Sequence, residues 1–419
     1  MRLRDLFLDT LRTLWAHKLR TFLTMFGIAW GIVSIVLMVG AGEGLRVGQD
    51  QVAQQFGKNI MIVFAGRTST QAGGLRAGRR IEFQDKDIPA IVEQAPDCEW
   101  VLPELGQGDI RVRSEHNNAA LLVTASWPPF AEVRSLNVDQ GRFYNWNDVQ
   151  SARRVAFIGS ETKKQLFGSR EAVGQTIYLN DIPYFVIGTM KAKDQDSSYD
   201  GQDVSKVFVP YSAMKQDFPN KPPSTPDSLD RMLVVPRSLA AHESCKQQLR
   251  AALGKIHQFD ANDKEAANIW DTIENAKAFA AMTDGMKYFL GAVGFVTLML
   301  GGLGVMNVML VAVRERTREI GVRKAVGARS DAILRQFFVE SVLVAAISGV
   351  VGFTIAFGIC AAVNALPMPP FFAGLIPTWK SALLAFLLLA SVAVGSAMYP
   401  ARRAASIDPI EALRYEAGG

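Results

Sequence analysis

Residues 288–330, YFLGAVGFVTLMLGGLGVMNVMLVAVRERTREIGVRKAVGARS, set an uncharged run of 26 residues (288–313) directly against a loop dense in arginine. A helix needs about 20 apolar residues to cross the hydrocarbon core of a bilayer, so this run qualifies as a span. Three more runs qualify: 22–41 with 20 residues, 341–366 with 26 and 381–400 with 20, all uncharged. Glu340 stands at the entrance of the third. A buried core helix would account for one such run, but four of them point to the bilayer. The whole chain agrees: 419 residues, 49% hydrophobic, with a mean hydropathy of +0.12, which excludes a disordered or collagen-like polypeptide.

The net charge of +5 is unevenly placed. Segments 1–21, 314–336 and 401–419 together carry +7, while the long segment 42–287 carries −2. The positive-inside rule puts the short basic segments in the cytoplasm, with both termini inside and 42–287 and 367–380 outside. The basic excess is therefore a topology signal and implies no nucleic acid. The first apolar run is too long for a signal-peptide core and no small-x-small site precedes the polar region, so an uncleaved anchor is expected.

The division expected is as follows. Residues 1–21 form an amphipathic helix on the inner leaflet, with Leu3, Leu6, Phe7, Leu11, Leu14 and Trp15 on one face and Arg4, Asp5, Asp9 and Arg12 on the other. Spans one to four are 22–41, 288–313, 337–366 and 381–400. Residues 314–336 are a cytoplasmic coupling segment, 367–380 an outer loop and 401–419 a cytoplasmic tail. Gly27 and Gly31 form a GxxxG in the first span, and the second is glycine-rich, including Gly301 and Gly302. Small residues at such spacing let helix backbones approach closely.

The outer segment alternates strand-like and helix-like stretches. Strands are expected at 59–64, 109–113, 119–124, 155–159, 176–179, 184–188 and 232–235, with helices at 85–94 and 239–253. Asn180-Asp181 is a hairpin turn signal. Residues 66–80 and 191–205 read as loops, the second as mobile, and 219–226, with four prolines, as a linker. The pattern suggests a lobe at about 125–228 inserted into a second lobe made of about 42–124 and 229–280.

Chemistry of its own is not legible. There is no GxxxxGK[ST], no GxSxG and no HExxH. His17, His116, His242 and His257 are scattered and read as surface residues. No Cys/His cluster suggests a metal. Cys98 and Cys245 both lie on the outer segment and could pair in an oxidising compartment, but their spacing does not require it, and two separate thiols are the reading carried forward. The spans hold no ionisable pathway for a coupled ion, so any energy source must come from another chain.

In the loop, Arg314, Glu315, Arg316, Arg318, Glu319, Arg323 and Lys324 alternate in sign, and Glu315–Arg318 and Glu319–Arg323 are attractive helical neighbours. Ile320 and Val326 add a small apolar surface. Gly327 is a helix stop, and Ser330 is placed to cap the helix that follows. Such a short helix, continuous with two spans, suits docking into a groove of a soluble partner and passing force to the membrane.

This loop and 336–349 (QFFVESVLVAAISG) resemble the permease domain of MacB-type ABC exporters. The outer stretches 141–148 (GRFYNWND), 155–159, 166–168, 173–177 and 185–188 look like that family's periplasmic pattern, and 399–413 (YPARRAASIDPIEAL) is similar to its terminal motif. The resemblance implies an α-helical membrane protein with four spans and a mixed α+β extracytoplasmic domain between the first two, made of a porter lobe and an inserted β-rich lobe. It implies a bacterial inner-membrane location, a permease pair acting with a cytoplasmic ABC ATPase dimer, and ATP-driven movement of the outer domain. ATP and Mg would then belong to the ATPase, with no cofactor on this chain. MacB fuses its ATPase to the permease; here the first span begins after 21 residues, so a separate ATPase is expected. Glu315, Arg316, Arg318, Glu319, Arg323 and Lys324 would form the coupling helix, and Arg402, Arg403, Asp408 and Pro409 would lie on the same side. A periplasmic adaptor and outer-membrane channel are implied for efflux. Lipoprotein extraction and FtsX-like control of a cell-wall hydrolase share the architecture and remain alternatives.

Overall fold

The computed structural model describes residues 18–57, 59–193, 195 and 199–414. Most of the amphipathic segment expected at 1–21 falls outside the described residues. In chain order the elements are α1 (Lys18–Phe56), β1 (Met61–Ala65), α2 (Asp87–Gln94), β2 (Cys98–Arg113), β3 (Asn118–Ser126) and α3 (Phe130–Val133). There follow β4 (Val138–Gly141), α4 (Trp146–Gln150), β5 (Val155–Ile158), α5 (Ser160–Phe167), β6 (Thr176–Leu179) and β7 (Ile182–Met190). Then come β8 (Lys206–Pro210), α6 (Tyr211–Asp217), β9 (Arg231–Pro236), α7 (His242–His257) and β10 (Ala267–Asp271). The chain ends with α8 (Thr272–Glu315), α9 (Thr317–Ala325), α10 (Ser330–Asn364), α11 (Trp379–Ala405) and α12 (Pro409–Arg414). Two compact units result, one from residues up to Gln49 and from Ala280 onward, the other Asp50–Phe279.

In the first unit, four helices are long and apolar enough to cross a membrane. Their shared core is built from Ile28, Ile32 and Val36 of α1, Leu298 and Val305 of α8, Phe337 and Ala356 of α10, and Leu389 and Ala401 of α11. Trp30, Leu300, Val350 and Phe386 point away from it and are 54, 62, 67 and 56% exposed. This is the inverse of a soluble bundle and is what lipid as solvent requires. Apolar faces on both sides leave no hydrophobic drive between helices, so close packing takes over. A Cβ on Gly301 would lie 2.7 Å from the Gly27 carbonyl carbon, and one on Gly31 2.9 Å from Leu298 Cα. Gly302 faces α11 instead, where a Cβ would meet Val392 at 2.4 Å. Gly40, Gly44 and Gly48, one turn apart on α1, likewise admit the outer link. There Ile376 N donates to Gly40 O at 3.0 Å and Ala373 N to Gly44 O at 3.0 Å.

α1 and α8 are 39 and 44 residues long, about 58 and 66 Å, well beyond a hydrocarbon core of about 30 Å. The expected spans 22–41 and 288–313 are only the apolar parts of these helices. Beyond them α1 runs on to Phe56, and α8 begins as early as Thr272.

The second unit is built on a ten-stranded sheet of order β10-β1-β9-β2-β3-β8-β5-β7-β4, with β6 pairing both β2 and β7. Both of its faces are buried, so the strands read as apolar runs. In β1, Met61 and Val63 enter one core while Ile62 enters the other. The first core is closed by Ile88 and Ile91 of α2 and Leu249 and Leu253 of α7. The long strand β2 links two half-sheets. Its residues 98–104 pair with β9, ending at Glu104↔Arg231, and from Leu105↔Ala125 onward it pairs with β3. The change-over thus falls within β2, and β3 pairs with β2 on one side and β8 on the other. The turn between β6 and β7 is formed by Asn180 and Asp181, both at positive φ (46° and 69°), as its residue pair anticipates.

Two expectations are corrected here. Cys98 and Cys245 form a disulfide joining β2 to α7; a sequence separation of 147 gave no local signal, and only the sheet brings them together. His242 and His257 are not surface residues. His242 is 3% exposed with Nε2 2.7 Å from Asp271 Oδ2, and His257 Nε2 lies 2.9 Å from Asp87 Oδ2.

Candidate functional site

The charged loop is a helix–break–helix. α8 ends at Glu315, Arg316 turns the chain, and α9 occupies Thr317–Ala325. Thr317 Oγ1 donates back to Val313 O at 3.0 Å across the break. α9 is seated by Ile320, 1% exposed, and by Gly321, where a Cβ would lie 2.6 Å from Ala412 Cβ of α12. Ile320 and Val326 therefore do not share a surface as expected: Val326 is 85% exposed. Gly327, at φ +98°, follows the helix end. Ser330 opens α10 as its first residue, while Arg329 occupies the cap position without a side-chain cap bond; the proposed Ser330 cap is not made.

The six loop charges divide by direction. Arg316 Nη1 lies 3.4 Å from Glu340 Oε1, a carboxylate buried at the start of the third span. Arg323 Nη1 donates to Gln336 Oε1 at 3.0 Å and pairs with Glu319 on the next turn. Lys324 Nζ donates to Ala405 O at 2.6 Å and Ile407 O at 2.8 Å, at the C-terminal end of α11, where backbone carbonyls lack helical partners. Glu315, Arg318 and Glu319 are exposed. With them, one helical turn apart, stand Val322 (47% exposed) and Val326. In the tail, Asp408 Oδ1 accepts from Ile410 N at 2.7 Å and Pro409 is the first residue of α12. Arg402, Arg403 and Ile410 are exposed, Ile410 at 72%. Among the described residues the arrangement is a small charged surface with exposed apolar side chains.

Val322, Ile410 and the pair Gly321–Ala412 are missing from the expected surface, on which Val326 was paired with Ile320. Val322 and Val326 at a spacing of four on an otherwise polar helix were the available signal.

The family described as the MacB-like periplasmic core domain matches residues 21–252, and the FtsX-like permease C-terminal family matches 291–409. The chain belongs to the MacB/FtsX type of ABC transporter permease. It is 30% identical over 409 residues to the ABC transporter permease YknZ of Bacillus subtilis, covering 97% of this chain and 98% of that one. It is 30% identical over 410 residues to the macrolide export ATP-binding/permease protein MacB of Bdellovibrio bacteriovorus, covering 97% of this chain and 61% of that protein. It thus spans about three fifths of this MacB relative. The crystal structure of the periplasmic region of MacB from Actinobacillus actinomycetemcomitans overlaps 54% of this chain and 94% of that one, at 18% identity and a TM-score of 0.40.

The permease's outer unit holds a second cluster of charge, at the change-over in β2. Glu104, 0% exposed, accepts from Tyr199 Oη at 2.7 Å, and its other oxygen lies 3.7 Å from Arg231 Nε. Arg134, also 0% exposed, donates twice to Asp203 at 2.9 Å, and Lys193 and Lys206 reach the same carboxylate at 2.7 and 3.2 Å. Arg231 Nη2 lies 3.5 Å from Asp200. The Tyr199 ring sits under both guanidiniums, at 4.9 Å from Arg134 and 4.8 Å from Arg231. Burial pushes Glu104 up to about 7 against the pull of Arg231. Burial also opposes the Asp203 carboxylate, but Arg134, Lys206 and Lys193 outweigh it and hold its pKa well below the usual range. Residues 191–205, expected to be a mobile loop, contribute Lys193, Tyr199, Asp200 and Asp203 to this cluster.

Proposed function

We propose that this chain is the motion-transmitting membrane subunit of an ABC exporter, docking through α9 and the tail onto cytoplasmic ATPase subunits and moving the outer unit. The observation that carries the reading is α8, an unbroken helix of 44 residues. One end is fixed in the outer unit, where Asp271 Oδ1 accepts from Ile273 N and Glu274 N at 3.0 Å and Lys246 bridges Asp271 and Glu274. The other end leads into the exposed knobs of α9. A displacement at α9 is thereby delivered along one hydrogen-bonded rod.

In this reading α9, α12 and both termini face the cytoplasm, which the basic excess of these segments supports. A disulfide in the outer unit suits an oxidising compartment, in keeping with that orientation. In this reading ATP and Mg are bound by an ABC ATPase dimer that works with these 419 residues, which themselves hold no nucleotide-binding motif. Two permease chains act together in the bacterial inner membrane. The MacB relative is named for macrolide export; by analogy the substrate here leaves through a periplasmic adaptor and outer-membrane channel.

The test pairs Arg318→Glu with Val326→Asp in the full-length permease reconstituted with its ATPase. Insertion is retained, while ATPase binding and stimulation fall together. Normal binding and stimulation by the double variant would show that α9 is not the docking element.

A further inference from the structure

We propose that the tail is a working part of the coupling element, with Lys324 as the positioning residue that locks α12 and the end of α11 to α9, so that the ATPase stroke also enters the fourth span. The inference rests on the reading of α9 as the docking helix and adds a second route out of it.

Two contacts join α9 to the tail, and a turn within the tail completes the lock. The Lys324 ammonium donates to both Ala405 O and Ile407 O, acceptors on the last turn of α11 and in the link beyond it. Gly321, on the preceding turn of α9, accepts the methyl group of Ala412 at a distance where any side chain would collide. Asp408 and Pro409 then start α12 within three residues of the end of α11, with Ala412 N bonded to Asp408 O at 3.0 Å. The result places Ile410, 72% exposed, on the same assembly as Val322 and Val326.

The other charges at the break bind elsewhere. Arg316 and Arg323 run to Glu340 and Gln336 of α10. The corner at Arg316 and α9 are therefore tied to the third span by one arginine each, and α9 to the end of the fourth by Lys324. Because α9 continues the second span in sequence, a push on it reaches three helices. Arginine in place of Lys324 keeps the charge and the reach to a carbonyl, whereas methionine keeps only the stem.

The experiment uses the full-length permease in nanodiscs, alone and with its ATPase, as native protein, Lys324→Met, Lys324→Arg and Arg318→Glu. Hydrogen exchange of residues 405–414 is followed on the permease alone. Loss of two charge-assisted bonds is expected to raise exchange there roughly tenfold or more in Lys324→Met, with Lys324→Arg close to native. With the ATPase present, Lys324→Met is expected to keep its binding affinity but to lose stimulation of turnover, and Lys324→Arg to recover it. A merely structural lysine would move exchange without moving stimulation at constant binding. Unchanged exchange would overturn the lock, and faster exchange with full stimulation would overturn its role in coupling. Arg318→Glu separates the two readings: if it binds and stimulates normally, the docking face itself is misplaced, whatever Lys324 does.

Discussion

Removing the Cys98–Cys245 bridge tests how the outer unit is held together. The bond closes a loop across a sequence separation of 147, which the chain-entropy account values at about 5 kcal/mol. Measured losses for native disulfides run at about 2–5 kcal/mol. The local structure favours the lower half of that range. Leu249 and Leu253 beside the bridge are 0% exposed, and Asp97 and Gln248 exchange two hydrogen bonds next to it, at 3.1 and 2.9 Å, contacts in which neither sulfur takes part. A unit of this size shifts its melting temperature by roughly 2–4 °C per kcal/mol, so Cys98→Ala/Cys245→Ala should melt about 4–14 °C lower. Tryptophan fluorescence during heating reports it, since Trp100, Trp127, Trp146 and Trp270 all lie in this unit. Alkylation of the denatured, unreduced native protein should then label one of the three cysteines, Cys360. Three labels, together with an unshifted melting curve, would refute the reasoning.

Two further outcomes follow from the buried contacts. Glu104, raised from 4.5 to about 7, keeps in the folded state a proton that the unfolded chain releases, so it costs stability as pH rises through that window. Glu104→Gln should therefore gain on the native protein between pH 5 and pH 8 in denaturant titrations; a constant difference between the two would contradict the burial argument. Gly301→Leu must separate α1 from α8 and should destabilise the detergent-solubilised protein by roughly 1–3 kcal/mol. Gly291→Leu, on the same helix with nothing within 4 Å, should cost little, and equal losses would remove the close-packing account.

What was legible in the sequence follows a physical rule. The spans were readable because the bilayer demands long uncharged runs, and the hairpin at Asn180-Asp181 because its positive φ values demand those residue types. The charged loop was readable as a short helix, since its charges repeat at helical spacing, but the break at Arg316 was not, because the helix was expected to continue the second span. Contacts across long separations were not. Cys98 and Cys245 meet only after β9 pairs with β2, and His242 is buried only because α7 lies beside Asp271. Residues 191–205 are polar in sequence, and nothing local says that Asp203 will be wrapped by Arg134, Lys193 and Lys206. In the loop after the second span, sign alone grouped six charges. Direction divided them, because Arg316, Arg323 and Lys324 find carboxylate, amide and carbonyl oxygens on neighbouring helices.

The central claim is that motion at the cytoplasmic face reaches the outer unit. It is tested most directly by spin labels on the outer units of a reconstituted permease pair, with distances measured by pulsed electron resonance without nucleotide and with ATP held unhydrolysed on the ATPase. The account predicts a nucleotide-dependent change in the distance distribution, abolished by Arg318→Glu/Val326→Asp. An identical distribution in both nucleotide states, from an assembly that hydrolyses ATP, would contradict it.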